Sequence, residues 1–394
     1  MRSGFTLTEL MISIALSLVL IAGVSQVFRV TSDVVSAGQA ISEQTREAIS
    51  TYQVLRDDLR AIAHDAPFLA VVSGVTQSHI DDDSFRAGDA PSAFRTDRLI
   101  LFTRGMYHRQ TGNDGELMAA QAEREAYIWI GHPTIDGQSP GQGDATSNPE
   151  NYAASKWSLG RVAVLLSPDP SGRVADIHGD HQRHFAPGSA AITLKPFTAD
   201  SRSDDGAFSL PQSRYDVANT SIPQYRWHVQ HAALVDPDWW VSVCDVRFDA
   251  RRYVPRPIAS EDFAYTTPLL ASNISEFVVE FAGDWLTQDV DGNIVALEPD
   301  GVTDYVVDGD ARSIRWYGMA RDVDGDGDYD VVPLGTLAGA PAPFEKVNTA
   351  TDYVVVWGDT VINSPSHLRL IVTQTDPRGR LAADGVIEVV SRIK

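Results

Sequence analysis

The chain has 394 residues, enough for one large domain or two to three ordinary ones, with 43% hydrophobic, 9% aromatic and 22% charged residues. That is globular composition, long enough to bury a core without covalent staples. Asp plus Glu number 53 against 32 Lys plus Arg, a formal net charge of −21, which argues against nucleic acid and anionic headgroups as partners. One cysteine, Cys244, excludes an intrachain disulfide and a Cys-rich zinc module.

The N-terminus runs against this acidic background. Residues 1–29 hold Arg2, Arg29 and Glu9, a net of +1, so the remainder carries −22. From Phe5 to Val24 the only charged residue is Glu9. About 20 mostly apolar residues suffice to cross a bilayer as a helix. A cleaved secretory signal fits poorly, because the basic region is a single Arg and Ile21-Ala22-Gly23 is a poor cleavage site. A plain anchor does not favour a carboxylate so near its start. Glu9 is therefore the informative anomaly: a carboxylate in hydrocarbon costs roughly 2.5–3.5 kcal/mol and is usually partnered. Cleavage after Gly4 would free an α-amino group on Phe5, four residues before Glu9. Positions i and i+4 share a helix face, so the charges can pair within one chain or between neighbouring chains.

Gly4-Phe5-Thr6-Leu7-Thr8-Glu9-Leu10-Met11 resembles the class III signal of type IV pilins and type II secretion pseudopilins. The resemblance implies a leader of residues 1–4, cleavage by a prepilin peptidase after Gly4, methylation of Phe5, and a role for Glu9 in subunit assembly. It also implies partners: other major and minor pilins, and an inner-membrane assembly platform. The chain would first sit in the inner membrane as a single-pass protein with a periplasmic head, and then in a pilus at the cell surface.

Beyond Val24 the apolar pattern narrows to a stripe. Ile41, Ala48, Tyr52, Leu55, Leu59 and Ile62 recur at helical spacing, with charged residues between them. No proline interrupts residues 5–66, and Pro67 supplies a stop. The expected helix over roughly 5–64 is about 90 Å long. Residues 5–28 form its membrane or filament-core half and 29–66 its amphipathic half. Many major pilins carry a proline in the apolar half; here Ser25-Gln26 marks its boundary instead.

Residues 67–394 read as a β-rich head with long loops. Candidate strands are Arg98–Thr103, Ala126–Ile130, Arg161–Leu166, Ala191–Lys195, Tyr225–Val229, Trp239–Val246, Glu276–Ala282, Ser313–Gly318, Tyr353–Trp357, Leu368–Gln374 and Val386–Val390. Candidate loops span roughly 76–96, 134–158 and 197–223. The expected class is α+β: a long N-terminal helix packed on a large, mostly antiparallel β head. In size and strand content the chain is similar to the PilW type of minor pilin. Residues 365–377 also resemble a late strand of the J-type minor pseudopilin. Glu9 and the strand-rich head argue against the K type.

Asp322-Val323-Asp324-Gly325-Asp326-Gly327-Asp328-Tyr329-Asp330 places five carboxylates in alternation. In the frame of a calcium loop, Asp322, Asp324 and Asp326 take positions 1, 3 and 5, Gly327 the turn, Asp328 position 7 and Asp330 position 9. Position 12 is Pro333 rather than Glu, so the loop is abbreviated; the expectation is calcium, against a solvated acidic turn. Asp289–Asn293 reads as a hairpin turn.

Features suggesting an enzyme are weaker. His178, His181 and His184, interleaved with Asp176 and Asp180, have the chemistry of a zinc or copper site but sit in a Gly/Pro-containing stretch. His228 and His231, at odd spacing on an expected strand, would face opposite ways. There is no HExxH, G-x-S-x-G or Walker A pattern. Cys244 reads as a buried hydrophobe, and Trp239-Trp240 as one core and one surface indole. The expectation is a non-enzymatic minor pilin that primes assembly at a filament tip. The alternatives are a J-like minor pseudopilin of a type II secretion system, or a membrane-anchored extracellular binding protein or enzyme.

Overall fold

The computed structural model describes residues 7–110, 117–133, 153–166, 217–218, 221–223, 226, 269–296, 298–318, 347–349, 352–358, 364–376 and 384–393. The chain opens with helix α1, Leu7–Arg60, and a short α2 spans Asp82–Ala87. The strands are β1 Phe68–Ser78, β2 Ser92–Arg95, β3 Arg98–Gln110, β4 Leu117–Gly131, β5 Leu159–Leu166, β6 Val217–Ala218, β7 Leu269–Ala271, β8 Ile274–Ala282, β9 Thr287–Gln288, β10 Ile294–Ala296, β11 Tyr305–Asp308, β12 Ala311–Ile314, β13 Val347–Thr349, β14 Asp352–Gly358, β15 His367–Gln374 and β16 Gly385–Arg392.

Two sheets carry the head. A nine-stranded sheet runs β13-β14-β1-β3-β4-β5-β6, with β2 also on β1 and β7 also on β5. A three-stranded sheet runs β16-β15-β8. All pairings in both are antiparallel except β5 with β6. The arrangement is α+β, and it is consistent with a pilin-like fold. β15 alternates half-buried and buried residues along its whole length, the pattern of a strand with one face on a core. β8 is almost wholly buried because it lies where the two sheets meet.

That junction is polar. Thr96, between β2 and β3, bridges Phe277 of β8, and Asp97 N–H donates to Phe277 C=O at 2.9 Å. The Asp97 carboxylate accepts from Gly74 N at 3.2 Å, from Val279 N at 2.8 Å and from Arg95 Nε at 3.1 Å. Arg95 Nη2 makes a further short contact with it. Both side chains are almost completely buried. One carboxylate thus ties β1, β2 and β8 together. Around it the apolar core joins Leu55 and Leu59 of α1 to Leu101, Ile128, Phe281 and Trp357. The Phe281 ring meets Trp357 edge-on at 4.7 Å, a geometry that suits the aromatic quadrupoles.

Two hairpins, β9–β10 and β11–β12, extend from the end of β8. Asp289–Asn293 forms the β9–β10 turn: Gly292 N–H donates to Asp289 C=O, and the Asp289 carboxylate accepts from Asn293 N and Nδ2. Gly292 has φ +81°, a left-handed position that favours glycine. Asp304 anchors the pair of hairpins, accepting from Trp285 N and Leu286 N and from the Tyr317 hydroxyl.

Three sequence expectations need correction. The 76–96 stretch is not a long loop: β1 continues to Ser78, and α2 and β2 follow. Asp81 caps α2 through Ser84 N at 2.7 Å, and Gly88 closes it at φ +77°. The Ser313–Gly318 strand is shifted, since the strand there is Ala311–Ile314. The long helix stops at Arg60 rather than near residue 64. Ala63 N–H donates to Phe102 C=O and Arg104 N–H to Ala61 C=O, so β3 takes the backbone groups that another helical turn would need. The candidate strands Ala191–Lys195 and Trp239–Val246, and most of Tyr225–Val229, lie outside the described residues.

His132, just after β4, is buried beside Trp157, with ring centroids 5.6 Å apart. Its Nδ1 pairs with Ser158 C=O at 3.0 Å, while Nε2 has no hydrogen-bond partner among the described residues. Burial pushes its pKa down to about 4. The folded form therefore stays neutral between pH 6.5 and 4 while the unfolded chain takes up a proton, so stability falls with pH across that window. The expected loss between pH 7.5 and 5 is about 2 kcal/mol from this residue. Urea midpoints of the parent and of His132→Gln at the two pH values check it: the variant should lack that part of the pH slope.

Candidate assembly helix and its seat on the head

Helix α1 has two environments. From Leu10 to Val35 it is exposed on all sides: Leu16 is 65% exposed, Val19 71% and Phe28 72%. Its most apolar 18-residue window is wholly unburied and carries at most two charges, enough by length and composition to cross a membrane. An apolar surface of that size on a single helix is far beyond the patches that soluble monomers leave bare. Glu9 lies in the first turn of α1; Gly4 and Phe5 precede the described residues.

From Ala40 onward the helix is seated on the head. Ala40, Thr51, Leu55, Asp58 and Leu59 are buried, and Gln44, Glu47, Ala48 and Ile62 are partly so. This corrects the sequence-derived stripe. Leu55 and Leu59 are in the core and Ala48 and Ile62 pack against it, but Ile41 and Tyr52 are exposed. The buried face is rotated toward Ala40, Gln44, Glu47, Thr51 and Asp58, and much of it is polar.

Polar side chains can be buried there because the head satisfies them. Glu47 accepts from Ser272 N at 2.6 Å, from Ser272 Oγ at 2.9 Å and from Gln374 Nε2 at 2.8 Å. Gln44 Nε2 donates to Gln374 C=O at 3.0 Å. Asp58 receives both Nε and Nη2 of Arg161, at 2.5 and 2.7 Å, in a bidentate pair. At the helix exit Arg104 links Asp65 to Glu125, and Glu125 accepts from Ile222 N. Hydropathy patterning does not find Gln44, Glu47 or Asp58. The available signal was their spacing, because 44, 47, 51, 55 and 58 follow one helical face.

Asp322, Asp324, Asp326, Asp328 and Asp330 lie outside the described residues, as do His178, His181, His184, His228, His231, Trp239, Trp240 and Cys244. Among the described residues no group of three or more His, Cys, Asp or Glu is placed to hold a metal.

Residues 1–25 match the family model of the prokaryotic N-terminal methylation motif, the class III signal. The match ends within the bare half of α1. The N-terminus thus carries the signal found in type IV pilin-like proteins. In pilin-like proteins this motif goes with prepilin peptidase processing and membrane anchoring, and the exposed half of α1 is long and apolar enough to be the anchor. No curated protein and no solved structure matches the chain at a significant level.

Proposed function

We propose that this pilin-like chain is a minor pilin of a type IV pilus, of the PilW type, and that it works without chemistry of its own. The carrying observation is a methylation motif that runs directly into a 54-residue helix whose first half is bare and whose second half is fastened to a large head. On this reading the prepilin peptidase cuts after Gly4, Phe5 becomes the methylated N-terminus, and Glu9 pairs with an N-terminal amine as subunits join. The head is far bulkier than a lattice-packed subunit needs, which suits a place at the filament tip, where the protein primes assembly. The same helix would serve a J-like minor pseudopilin, and the fraction in which the protein is recovered separates the two.

The test is mass spectrometry of the N-terminal peptide from membranes and from sheared filaments. A peptide starting at methylated Phe5 in the filament fraction is the expected result. A peptide starting at Met1, or beyond Gly23, overturns the reading in favour of an anchored or secreted binding protein or enzyme.

Calcium at residues 322–330 belongs to the same proposal, carried by the alternation of five Asp residues. Loops of this extracellular kind bind with dissociation constants of about 0.1–1 mM. At 10 mM calcium, binding would stabilise the head by about 1.4–2.7 kcal/mol. The expected result is a higher melting temperature with calcium, lost on joint Asp324→Ala and Asp326→Ala substitution. No calcium effect on the unmutated head would return the loop to a solvated turn.

A further inference from the structure

The two hairpins that follow β8 form a preset arm. Gln288 of β9 ties them together: its Nε2 donates to Gly292 C=O at 2.9 Å and to Tyr305 C=O at 2.8 Å, and its Oε1 accepts from Tyr305 N at 2.8 Å. The Tyr305 hydroxyl donates to Asp289 C=O. Arg312 of β12 donates to Val290 C=O at 3.0 Å and lays its guanidinium over the Tyr305 ring. With Asp304 anchoring its base, the arm holds its shape by itself, so docking costs it little ordering.

The outside of the arm is apolar and acidic. Among the described residues of the head, eight large apolar side chains are exposed, and five of them are here: Val290 at 74%, Val295 at 66%, Ile294, Val302 and Val306. Such side chains are ordinary when scattered singly, whereas their concentration marks an interaction surface. Residues 283–310 also hold eight carboxylates and no Lys or Arg, so 28 residues carry −8 of the chain's net −21. Four of the eight serve the fold. Asp284 accepts from Asp300 N and Gly301 N, and Asp300 accepts from Val302 N. Asp289 and Asp304 hold the turn and the base. Asp291, Glu298, Asp308 and Asp310 are exposed, and among the described residues their side chains hold no turn or strand in place.

An aliphatic centre with a charged rim has the make-up of a protein interface, and the sign of the rim selects the partner. A second copy of the chain brings another −21, and an anionic lipid surface is repelled in the same way. The long segments of the chain outside the described residues are acidic as well: 134–152 carry −3, 167–216 −2, 227–268 −2 and 319–346 −4. We propose that the arm is a docking surface for a different protein, one that presents Lys and Arg around aliphatic side chains. The inference stands on the arm itself and goes beyond the pilin reading. Residues 247–256, with four Arg against Asp249, are the intrachain competitor.

A photo-crosslinking side chain at 295 or at 306, in the full-length chain in its own cells, tests the proposal, with exposed Phe85 of α2 as the control position. The expected result is an adduct from both arm positions, absent at 85, to a different protein through a peptide rich in Lys and Arg. In detergent-solubilised membranes its yield should drop about threefold or more between about 50 and 500 mM NaCl, because salt screens the charges and leaves apolar contact intact. Joint Asp291→Asn, Glu298→Gln, Asp308→Asn and Asp310→Asn substitution should lower the yield about tenfold while the protein melts within a few degrees of the parent. The proposal falls if the arm positions give no adduct, or if the adduct is with residues 247–256 or a second copy. It falls equally if the linked peptide has no basic surplus, or if the yield is indifferent to salt and to the four neutral substitutions.

Discussion

Replacing Asp97 by alanine is expected to destabilise the protein by about 3–5 kcal/mol, the range seen when one partner of a buried ion pair is removed. Arg95 would keep its charge at 1% exposure with its carboxylate gone, and the N–H groups of Gly74 and Val279 would lose their acceptor. Those amides belong to different sheets, so the loss falls on the joint rather than on one strand. Asp97→Asn keeps an acceptor oxygen and should cost less. The double change Asp97→Leu with Arg95→Met should recover much of the stability, because removing both charges removes the desolvation penalty along with the attraction. Denaturant midpoints of the four proteins check this. A loss below about 1 kcal/mol for Asp97→Ala would mean that apolar packing holds the sheets together without the clamp.

The second large effect concerns Glu9. Glu9→Ala is expected to leave cleavage after Gly4 and membrane insertion intact while lowering recovery in filaments by about tenfold or more. Insertion should not suffer, because alanine removes a residue that costs roughly 2.5–3.5 kcal/mol in hydrocarbon. Assembly should suffer, because a neighbour's terminal amine would lose its counter-charge; each 1.4 kcal/mol of lost pairing is a factor of ten. Glu9→Asp, which keeps the charge on a shorter stem, should fall between. Quantifying the cleaved chain in membranes and in sheared filaments separates the two steps. Equal filament recovery for Glu9→Ala would remove the pairing role.

The two halves of α1 differ in how much of their surroundings the residues themselves specify. In the first half each residue faces the same surroundings, so composition alone describes it, and Phe5 to Val24 announces an anchor. In the second half the surroundings differ from face to face. Periodicity correctly brought out Leu55 and Leu59, but it ranked Ile41 and Tyr52 above Gln44, Glu47 and Asp58 because it scores hydropathy. The seat selects by partner instead: Ser272, Gln374 and Arg161 make those polar groups worth burying, and they lie 103 to 330 residues away in sequence. The Asp97 clamp was hidden for the same reason, since its partners Gly74 and Val279 are assembled only when the two sheets meet. β1 was not among the sequence's candidate strands, because its continuous apolar run lacks the alternation that marks a half-exposed strand.

The amino-acid sequence by itself determined the methylation signal, the apolar reach of α1 and the β-rich character of the head, because each depends on neighbours along the chain. The tertiary structure alone decided which face of α1 is seated, where the helix ends and how Asp97 joins the sheets. Those depend on groups brought together across the fold, where a hydrogen bond or a buried charge gains its worth only from a partner that local pattern does not contain.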